Sequence, residues 1–341
     1  MKRVVLVFFM IIMLGCLSAC STGDSGKGSD DKISIVATIF PEYDWLMNVL
    51  GDNPAGAEVT MLLDNGVDLH SYQPTADDII KISTCDLFIY VGGESDAWVE
   101  DALRGALNKD MVVVNLLDTL GDAVKEEEVV EGMQAEEEHD HDHGDEDHDH
   151  DADEDHDHEE DEAEYDEHVW LSVKNAAVLV QKISEAVQKV DPDNAEAYKK
   201  NTASYIEKLN ALDKEYAAVV STGTYNTILF GDRFPFRYLV DDYGLKYYAA
   251  FVGCSAETEA SIETITFLSG KVDELNLPAV LTIEGSDHRI AETIVQNTKT
   301  KDQKILSIDS MQSTTSKDIK NGTTYISVME KNLDVLKEAL K

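Results

Sequence analysis

Short apolar runs alternate along the chain with stretches in which apolar residues recur at helical spacing. The apolar runs have the length and β-branched content of buried strands, and helical patterns lie between them. Strands that alternate with helices predict an α/β fold in which helices flank a mostly parallel sheet. Four strands are predicted in each half, at 33–38, 59–63, 87–91, 111–116, 227–230, 247–252, 279–283 and 304–308.

A continuous helical pattern separates the two halves. The segment from Asp193 to Val220 contains neither Gly nor Pro, and its apolar residues keep helical spacing. A helix of this length is about 40 Å long and would join two lobes as a rigid rod. We therefore predict an N-terminal lobe at 32–190, a linking helix at 191–221 and a C-terminal lobe at 222–341, each lobe built on a four-stranded sheet.

The N-terminus has the layout of a targeting segment. A basic pair precedes an apolar run that is too short to cross a membrane comfortably, and the segment ends in Leu-Ser-Ala followed by Cys20. This ending resembles a bacterial lipoprotein signal, in which cleavage precedes a cysteine that becomes lipid-modified. We expect a signal peptide at 1–19, a lipid anchor on Cys20 at the extracytoplasmic face of the cell membrane, and a flexible tether at 20–31. An ordinary cleaved signal with an incidental cysteine is the alternative.

Negative charge is concentrated in one segment. The formal net charge is −40, and the stretch from Glu126 to Glu167 holds 25 acidic residues and neither Lys nor Arg. Such a surface argues against a nucleic-acid partner, which needs clustered positive charge, and favours cations. Because the segment 126–164 lacks core-forming residues, we expect a loop that is disordered without metal.

Seven of the ten histidines lie within this acidic loop. A solvated charge run is the usual interpretation of an acidic segment. Interspersed imidazoles instead favour weak, auxiliary metal binding by the loop. The seven residues are His139, His141, His143, His148, His150, His156 and His158.

Few histidines remain for the folded body, and the chain places candidate ligands near strand ends. His70 lies on a loop after the strand that ends at Leu63, and His168 follows the acidic loop. Asp232 and Asp309 each follow a strand of the second half. Ligands in open α/β sheets bind beyond the carboxyl ends of strands, and imidazoles with carboxylates suit a zinc-like ion. Spacing alone does not show that these side chains converge, and an isolated histidine more often has a structural or surface role.

Several motifs together resemble the metal-specific solute-binding lipoproteins of bacterial ABC importers, the zinc and manganese family. The segment 68–98 is similar to that family's first ligand loop and the helix after it, and 167–171 is similar to its second ligand motif. The Asp-Pro-Asp-Asn-Ala run at 191–195 resembles the start of its inter-lobe helix. Asp309, followed by a C-terminal helical pattern, resembles the region of its fourth ligand.

This resemblance implies a function and a ligand set. It implies that His70 and His168 bind the metal and that Asp309 is the carboxylate from the second lobe. It also implies zinc capture outside the cell and delivery to an ABC permease, by a chain that is not an enzyme and that we expect to be a monomer. The His-rich loop marks a zinc member, with Mn²⁺ as the alternative cargo, because many imidazoles favour borderline metals.

The sequence departs from the family at the third ligand. The family usually has His or Glu a few residues before a Tyr-Gly-Leu segment, but Arg233 occupies that position here, and arginine does not ligate cations. We predict that Asp232 supplies an oxygen ligand while Arg233 forms an ion pair nearby. Three rivals for the third position are His288, at the start of a predicted helix, and two weaker ones on another loop, Glu257 and Cys254.

Two other functions compete with metal capture. A zinc-dependent surface hydrolase would also need His and carboxylate clusters, with one metal position open to water. The sequence shows no His-Glu-x-x-His pattern that would supply its general base. A metal-buffering, adhesin-type surface lipoprotein is the other alternative, and no motif specifically favours it. The two cysteines of the folded body, Cys85 and Cys254, are expected to be free thiols.

Overall fold

The computed structural model describes residues 32–134, 164–255 and 259–341. The predicted signal peptide, the body of the tether, Cys20, Glu257 and the seven histidines of the acidic loop lie outside these ranges. Within the described ranges, no helix combines the length and the apolar character that crossing a membrane requires.

The first sheet consists of four parallel strands in the order β2-β1-β3-β4. Its central strands are buried on both faces, since consecutive residues of each strand, Ile35 and Val36 of one and Leu87 and Phe88 of the other, are at most 1% exposed. A parallel sheet with helices on both faces requires this pattern. The strands are β1 (Ser34–Ala37), β2 (Glu58–Met61), β3 (Leu87–Tyr90) and β4 (Val112–Asn115). The helices of this lobe are α1 (Phe40–Leu50), α2 (Ala76–Thr84), α3 (Trp98–Arg104), α4 (Leu116–Leu120) and α5 (Val173–Val190).

The second sheet repeats this arrangement with the order β6-β5-β7-β8, again all parallel. The prediction of two four-stranded α/β lobes is therefore confirmed. The strands are β5 (Thr227–Phe234), β6 (Lys246–Val252), β7 (Ala279–Ile283) and β8 (Lys304–Ile308). The helices are α7 (Arg237–Tyr243), α8 (Ile262–Leu275), α9 (Arg289–Asn297), α10 (Ser316–Lys320) and α11 (Tyr325–Ala339).

The predicted linking helix is present as α6 (Ala195–Thr222), which is 28 residues long. Two buried tyrosines of this helix donate hydrogen bonds, one to each lobe. The Tyr205 hydroxyl donates to Asp44 of α1 at 3.1 Å, and the Tyr216 hydroxyl donates to the carbonyl of Met329 in α11 at 2.6 Å. The helix is therefore packed against both lobes along its length.

A segment that we call the strap, residues 125–134, runs from the first lobe onto the second. The Lys125 N–H donates to the Tyr238 hydroxyl at 3.0 Å, and the Gln134 N–H donates to the Ala250 carbonyl on the edge strand β6 at 2.9 Å. At the far end of the predicted acidic loop, the Glu164 carbonyl accepts from the Glu127 N–H at 2.8 Å. Both described ends of the loop are thus held against the folded body.

Candidate metal centre

Two imidazoles meet in the cleft between the lobes. His70 lies in a 3-10 turn (Leu69–Ser71) after β2, and His168 immediately precedes another (Val169–Leu171) that leads into α5. Their Nε2 atoms are 3.1 Å apart. Two nitrogens bound to one tetrahedral zinc ion at 2.0–2.1 Å would lie roughly 3.3 Å apart. The separation of the two nitrogens is therefore compatible with one shared ion.

The His168 ring is held in one orientation by Asp166. Its Nδ1 lies 2.9 Å from Asp166 Oδ1, and the same oxygen accepts from the His168 backbone N–H at 2.8 Å. Because an ionised carboxylate only accepts, Nδ1 carries the ring proton and Nε2 presents its lone pair to the cleft. Both side chains are buried, so water does not compete for this hydrogen bond.

The His70 ring is oriented in the same way by two groups on its far side. Its Nδ1 lies 2.8 Å from the Ser95 hydroxyl and 3.5 Å from Glu167 Oε2. Burial, followed by the nearby His168, lowers the pKa of His70 to about 3. The imidazole is therefore neutral at ordinary pH, which is the form that binds metal.

Gln312 lies directly against both imidazoles, and no sequence pattern singled it out. Its Nε2 is 2.7 Å from His168 Nε2 and 3.0 Å from His70 Nε2. Its Oε1 accepts from an Arg233 guanidinium nitrogen at 3.2 Å. Because a guanidinium only donates, the amide oxygen must face Arg233 and the NH₂ group must face the rings. In this arrangement the amide satisfies both imidazole lone pairs.

Arg233 also joins the two lobes. Its guanidinium forms a short ion pair with Asp68, the residue whose other oxygen caps the turn carrying His70. Burial would raise the pKa of Asp68, but the Arg233 charge holds that pKa below its ordinary value. The ion pair predicted for Arg233 is therefore present, and it bridges the cleft beside the imidazoles.

Cys254 brings a thiol to the same place. Its Sγ and ligand atoms of His70 and His168 all lie within 4.8 Å of one another, and no other described group of three His, Cys, Asp or Glu residues is as close. Both cysteines of the folded body are free, as predicted. Burial, followed by the negative charge of Glu127, raises the pKa of the Cys254 thiol.

The two predicted carboxylate ligands lie at the strand ends but accept from backbone groups. Asp232 Oδ1 accepts from the Arg233 N–H at 2.9 Å and Oδ2 from the Ile283 N–H at 3.4 Å. Asp309 Oδ1 accepts from the Met311 N–H at 2.8 Å. Neither belongs to a described group of three ligand atoms within 4.8 Å. Their roles as ligands remain predictions.

The rival His288 begins α9 in a left-handed backbone conformation, with φ of 62°. Its Nδ1 lies 3.0 Å from the Thr282 hydroxyl. It does not belong to the group formed by the two imidazoles and the thiol.

Two cavities flank the imidazoles. One, of about 510 Å³, is lined by His70, Asp232, Arg233 and Cys254 among others. The other, of about 270 Å³, runs between His70 and Cys254 on one side and the ends of the acidic loop on the other. Its walls include Glu94, Glu127, Glu164 and Glu167. A cation approaching from the loop would therefore meet only neutral or acidic side chains on this wall.

Two parallel α/β sheets joined by a long helix, with paired imidazoles in the cleft, define the architecture of a two-lobed binding protein. Residues 35–339 match the family described as ZnuA, zinc-uptake complex component A periplasmic. The chain therefore belongs to the ZnuA family.

Individual relatives agree with this assignment. The chain is 34% identical over 338 residues to the zinc-binding lipoprotein AdcA of Streptococcus pneumoniae, covering 99% of this chain and 61% of that protein. It is 31% identical over 327 residues to the high-affinity zinc uptake system protein ZnuA of Bacillus subtilis, covering 95% and 93%. It also superimposes on the Zn(II)-bound ZnuA-like domain of Streptococcus pneumoniae AdcA with a TM-score of 0.67 at 29% identity, covering 91% and 99%. The chain thus spans about 61% of the length of AdcA.

Proposed function

We propose that this chain captures zinc at the extracytoplasmic face of the cell membrane and delivers it to an ABC permease. The observation that carries the proposal is the approach of His70 Nε2 to His168 Nε2 at 3.1 Å, with a partner on each Nδ1. Neutral imidazoles with fixed tautomers favour borderline metals such as zinc over the harder Mn²⁺. The names of the relatives, zinc-binding lipoprotein and zinc uptake system protein, support the same cargo.

The remaining parts of the proposal come from the sequence. Asp232 and Asp309 are the candidate ligands that the sequence offers from the second lobe. Cys20 carries the lipid anchor, the histidines of the acidic loop bind further zinc weakly, and the chain acts as a monomer. The chain binds and releases zinc and does not catalyse a reaction.

Zinc calorimetry on the full chain tests the binding step. We expect one tight site per chain and weaker sites on the loop. Deletion of residues 135–163, which spares the strap and Glu164, should remove the weak sites and keep the tight one. The double substitution His70→Ala and His168→Ala should remove the tight site and keep the weak ones. The opposite pattern would mean that the loop, and not the cleft, is the capture site.

Zinc uptake by cells tests delivery. Cells that lack the chain and express it again from a plasmid should recover zinc uptake at low external zinc, and the double histidine variant should not restore it. Cys20→Ala is the matched control, because it should leave zinc binding intact and release the chain from the membrane fraction. Membrane association that persists in Cys20→Ala would contradict the anchor assignment.

A further inference from the structure

The side chain that completes a three-membered ligand group in the cleft carries sulfur. Cys254 Sγ lies with nitrogens of His70 and His168 in the group whose members are within 4.8 Å of one another. We propose that Cys254 binds the metal as a thiolate and is the third protein ligand of this site. The inference rests on the proposed function and specifies which metals the site takes.

The backbone before Cys254 is built to bring it to the imidazoles. Gly253, at the end of β6, lies so close to His168 that an added Cβ would be 3.0 Å from the ring Cε1. The same Cβ would lie 3.0 Å from the Phe234 carbonyl oxygen. A residue with a side chain would therefore require the His168 ring or the Phe234 carbonyl to shift by a few tenths of an ångström. Glycine at this position allows the backbone to lie close to His168 and places the next residue in the group with both imidazoles.

The distances require only a small adjustment. Around a tetrahedral ion with Zn–S near 2.3 Å and Zn–N near 2.0–2.1 Å, sulfur and nitrogen lie roughly 3.6 Å apart. Since the present separation is within 4.8 Å, the thiol must approach the imidazole nitrogens by roughly 1.2 Å at most, which rotation about one side-chain bond supplies. Cys254 is only partly buried and lines both cavities, so this rotation has room. The Gln312 amide must move away at the same time, because its NH₂ group donates hydrogen bonds to the two imidazole nitrogens that would bind the ion.

Binding replaces the S–H bond by a sulfur–metal bond. The thiol proton leaves to the solvent, so the thiolate neutralises one charge of the divalent ion. Glu127 accepts from the Cys254 N–H at 3.3 Å and thereby positions the residue. In this arrangement Cys254 takes one of the two second-lobe positions predicted for Asp232 and Asp309, and Asp232, which lines the same cavity as Cys254, is the candidate for the other.

A ligand set of two imidazoles and one thiolate selects the metal. Thiolate is a soft ligand that suits zinc, cobalt and cadmium, whereas manganese prefers carboxylate and carbonyl oxygens. Manganese should therefore fail to displace zinc from the cleft.

Cobalt(II) titration tests the sulfur ligand. The protein for this test is the full chain with the substitutions Cys16→Ser and Cys20→Ser, so that Cys85 and Cys254 are its remaining cysteines. We expect one equivalent of cobalt to give a near-ultraviolet thiolate-to-cobalt charge-transfer band, which excess zinc removes and manganese does not. Cys254→Ser should lose the band. Cys85→Ser is the matched control, since Cys85 is a free but buried thiol of the other lobe, and it should keep the band.

Alkylation by iodoacetamide gives a second readout in the chain that retains both thiols. Saturating zinc should slow modification of Cys254 at least tenfold and leave that of Cys85 unchanged. The inference is wrong if zinc binds tightly in a way that depends on His168, yet zinc does not slow the alkylation of Cys254 and Cys254→Ser keeps the cobalt spectrum of the parent. That result would preserve the proposed function. Absence of tight zinc binding to the parent chain, or binding unaffected by loss of both histidines, would overturn the proposed function itself.

Discussion

The two lobes have sheets of the same strand order, yet they bring different chemistry to the cleft. The first lobe supplies two imidazoles, each with an acceptor on its far nitrogen. The second supplies a thiol, an amide and a guanidinium, together with carboxylates that accept from backbone N–H groups. One lobe therefore presents two oriented imidazoles, whereas the other combines a candidate sulfur ligand with groups that bond to the imidazoles or to one another without metal. Equal topology does not impose equal roles, because side chains at the strand ends decide the chemistry.

The largest effect should come from removing an oriented ligand of the first lobe. His168→Ala should weaken zinc binding at the cleft by a factor of roughly 60 to 700, because structural zinc sites distribute roughly 10–16 kcal/mol over four ligands. Competition with a chelator of known affinity measures the change. His288→Ala is the control, since this imidazole bonds with Thr282 and should leave affinity unchanged. Equal losses in the two variants would contradict the assignment of the pair.

The unfolding free energy should depend on pH through the buried carboxyl group of Glu42. Burial, followed by the charge of Asp96, raises the pKa of Glu42 to about 8. The unfolded chain therefore loses this proton at lower pH than the folded chain does, so the unfolding free energy should fall as pH rises. Between pH 5 and 8 the loss should be about 3 kcal/mol.

Urea unfolding of metal-free protein at the two pH values measures this loss. Glu42→Gln should remove the part of the pH dependence that comes from Glu42 and leave the part that comes from Asp96 and Glu284, whose pKa values burial also raises. Glu58→Gln, on the exposed start of β2, is the matched control and should retain the wild-type dependence. A pH dependence unaltered by Glu42→Gln would place its origin elsewhere.

A smaller effect should follow from loosening one imidazole while keeping it. Asp166→Asn should weaken zinc binding between about tenfold and a hundredfold, because a neutral amide oxygen accepts from His168 Nδ1 more weakly than the carboxylate that fixes its tautomer. Asp242→Asn is the control: Asp242 accepts from Ser172 at the start of α5 and touches neither ring. An Asp166→Asn protein with full affinity would show that the buried ring is fixed by packing alone.

In the second lobe, replacing the amide donor of Gln312 by a carboxylate acceptor should strengthen zinc binding. Gln312→Glu keeps the shape of the side chain and directs a carboxylate oxygen at the position now occupied by the amide NH₂. We expect zinc affinity to rise about tenfold, since carboxylate oxygen is an accepted zinc ligand. Gln303→Glu, whose parent side chain bonds with Thr298 and Thr300, is the matched control for added charge. Weaker binding in Gln312→Glu would mean that the amide withdraws completely when zinc enters.

The smallest effect should come from the predicted oxygen ligand. Asp232→Ala should weaken zinc binding about fivefold, as a partly exposed carboxylate contributes on the order of 1 kcal/mol. His288→Ala, in the same calorimetric titration, should change nothing. The reverse order would favour the rival histidine.

The fold and the imidazole pair of the first lobe could be predicted from the sequence for different physical reasons. Strand and helix periodicity depends on neighbouring residues, so the α/β alternation and the long α6 could be predicted directly. The two histidines stood out because the folded body has few, and the family resemblance added their role. The ion pair of Arg233 was also foreseen, but its partner Asp68 was not, because it lies 165 residues away.

Most of the other cleft residues approach the histidines from distant positions in the chain, and a sequence pattern does not reveal such contacts. Gln312 was missed because glutamine is an uncommon metal ligand and no motif surrounds it. Ser95, 25 residues after His70, gave no signal as its orienting partner. Asp166 lies two residues before His168, so an i, i+2 acceptor could have been recognised. Cys254 was noted only as a weak rival, because the close approach of Gly253 to His168 exists only in three dimensions.

The strap also bears on how the loop can change over evolutionary time. Its end at Gln134 pairs with β6, while Glu164, on the far side of the loop, pairs with Glu127. Residues between these two anchors can therefore be inserted or deleted without displacing the cleft. Each doubling of loop length costs only about 0.6 kcal/mol of closure free energy. The number of histidines in the loop can accordingly change while the arrangement of the cleft residues stays the same.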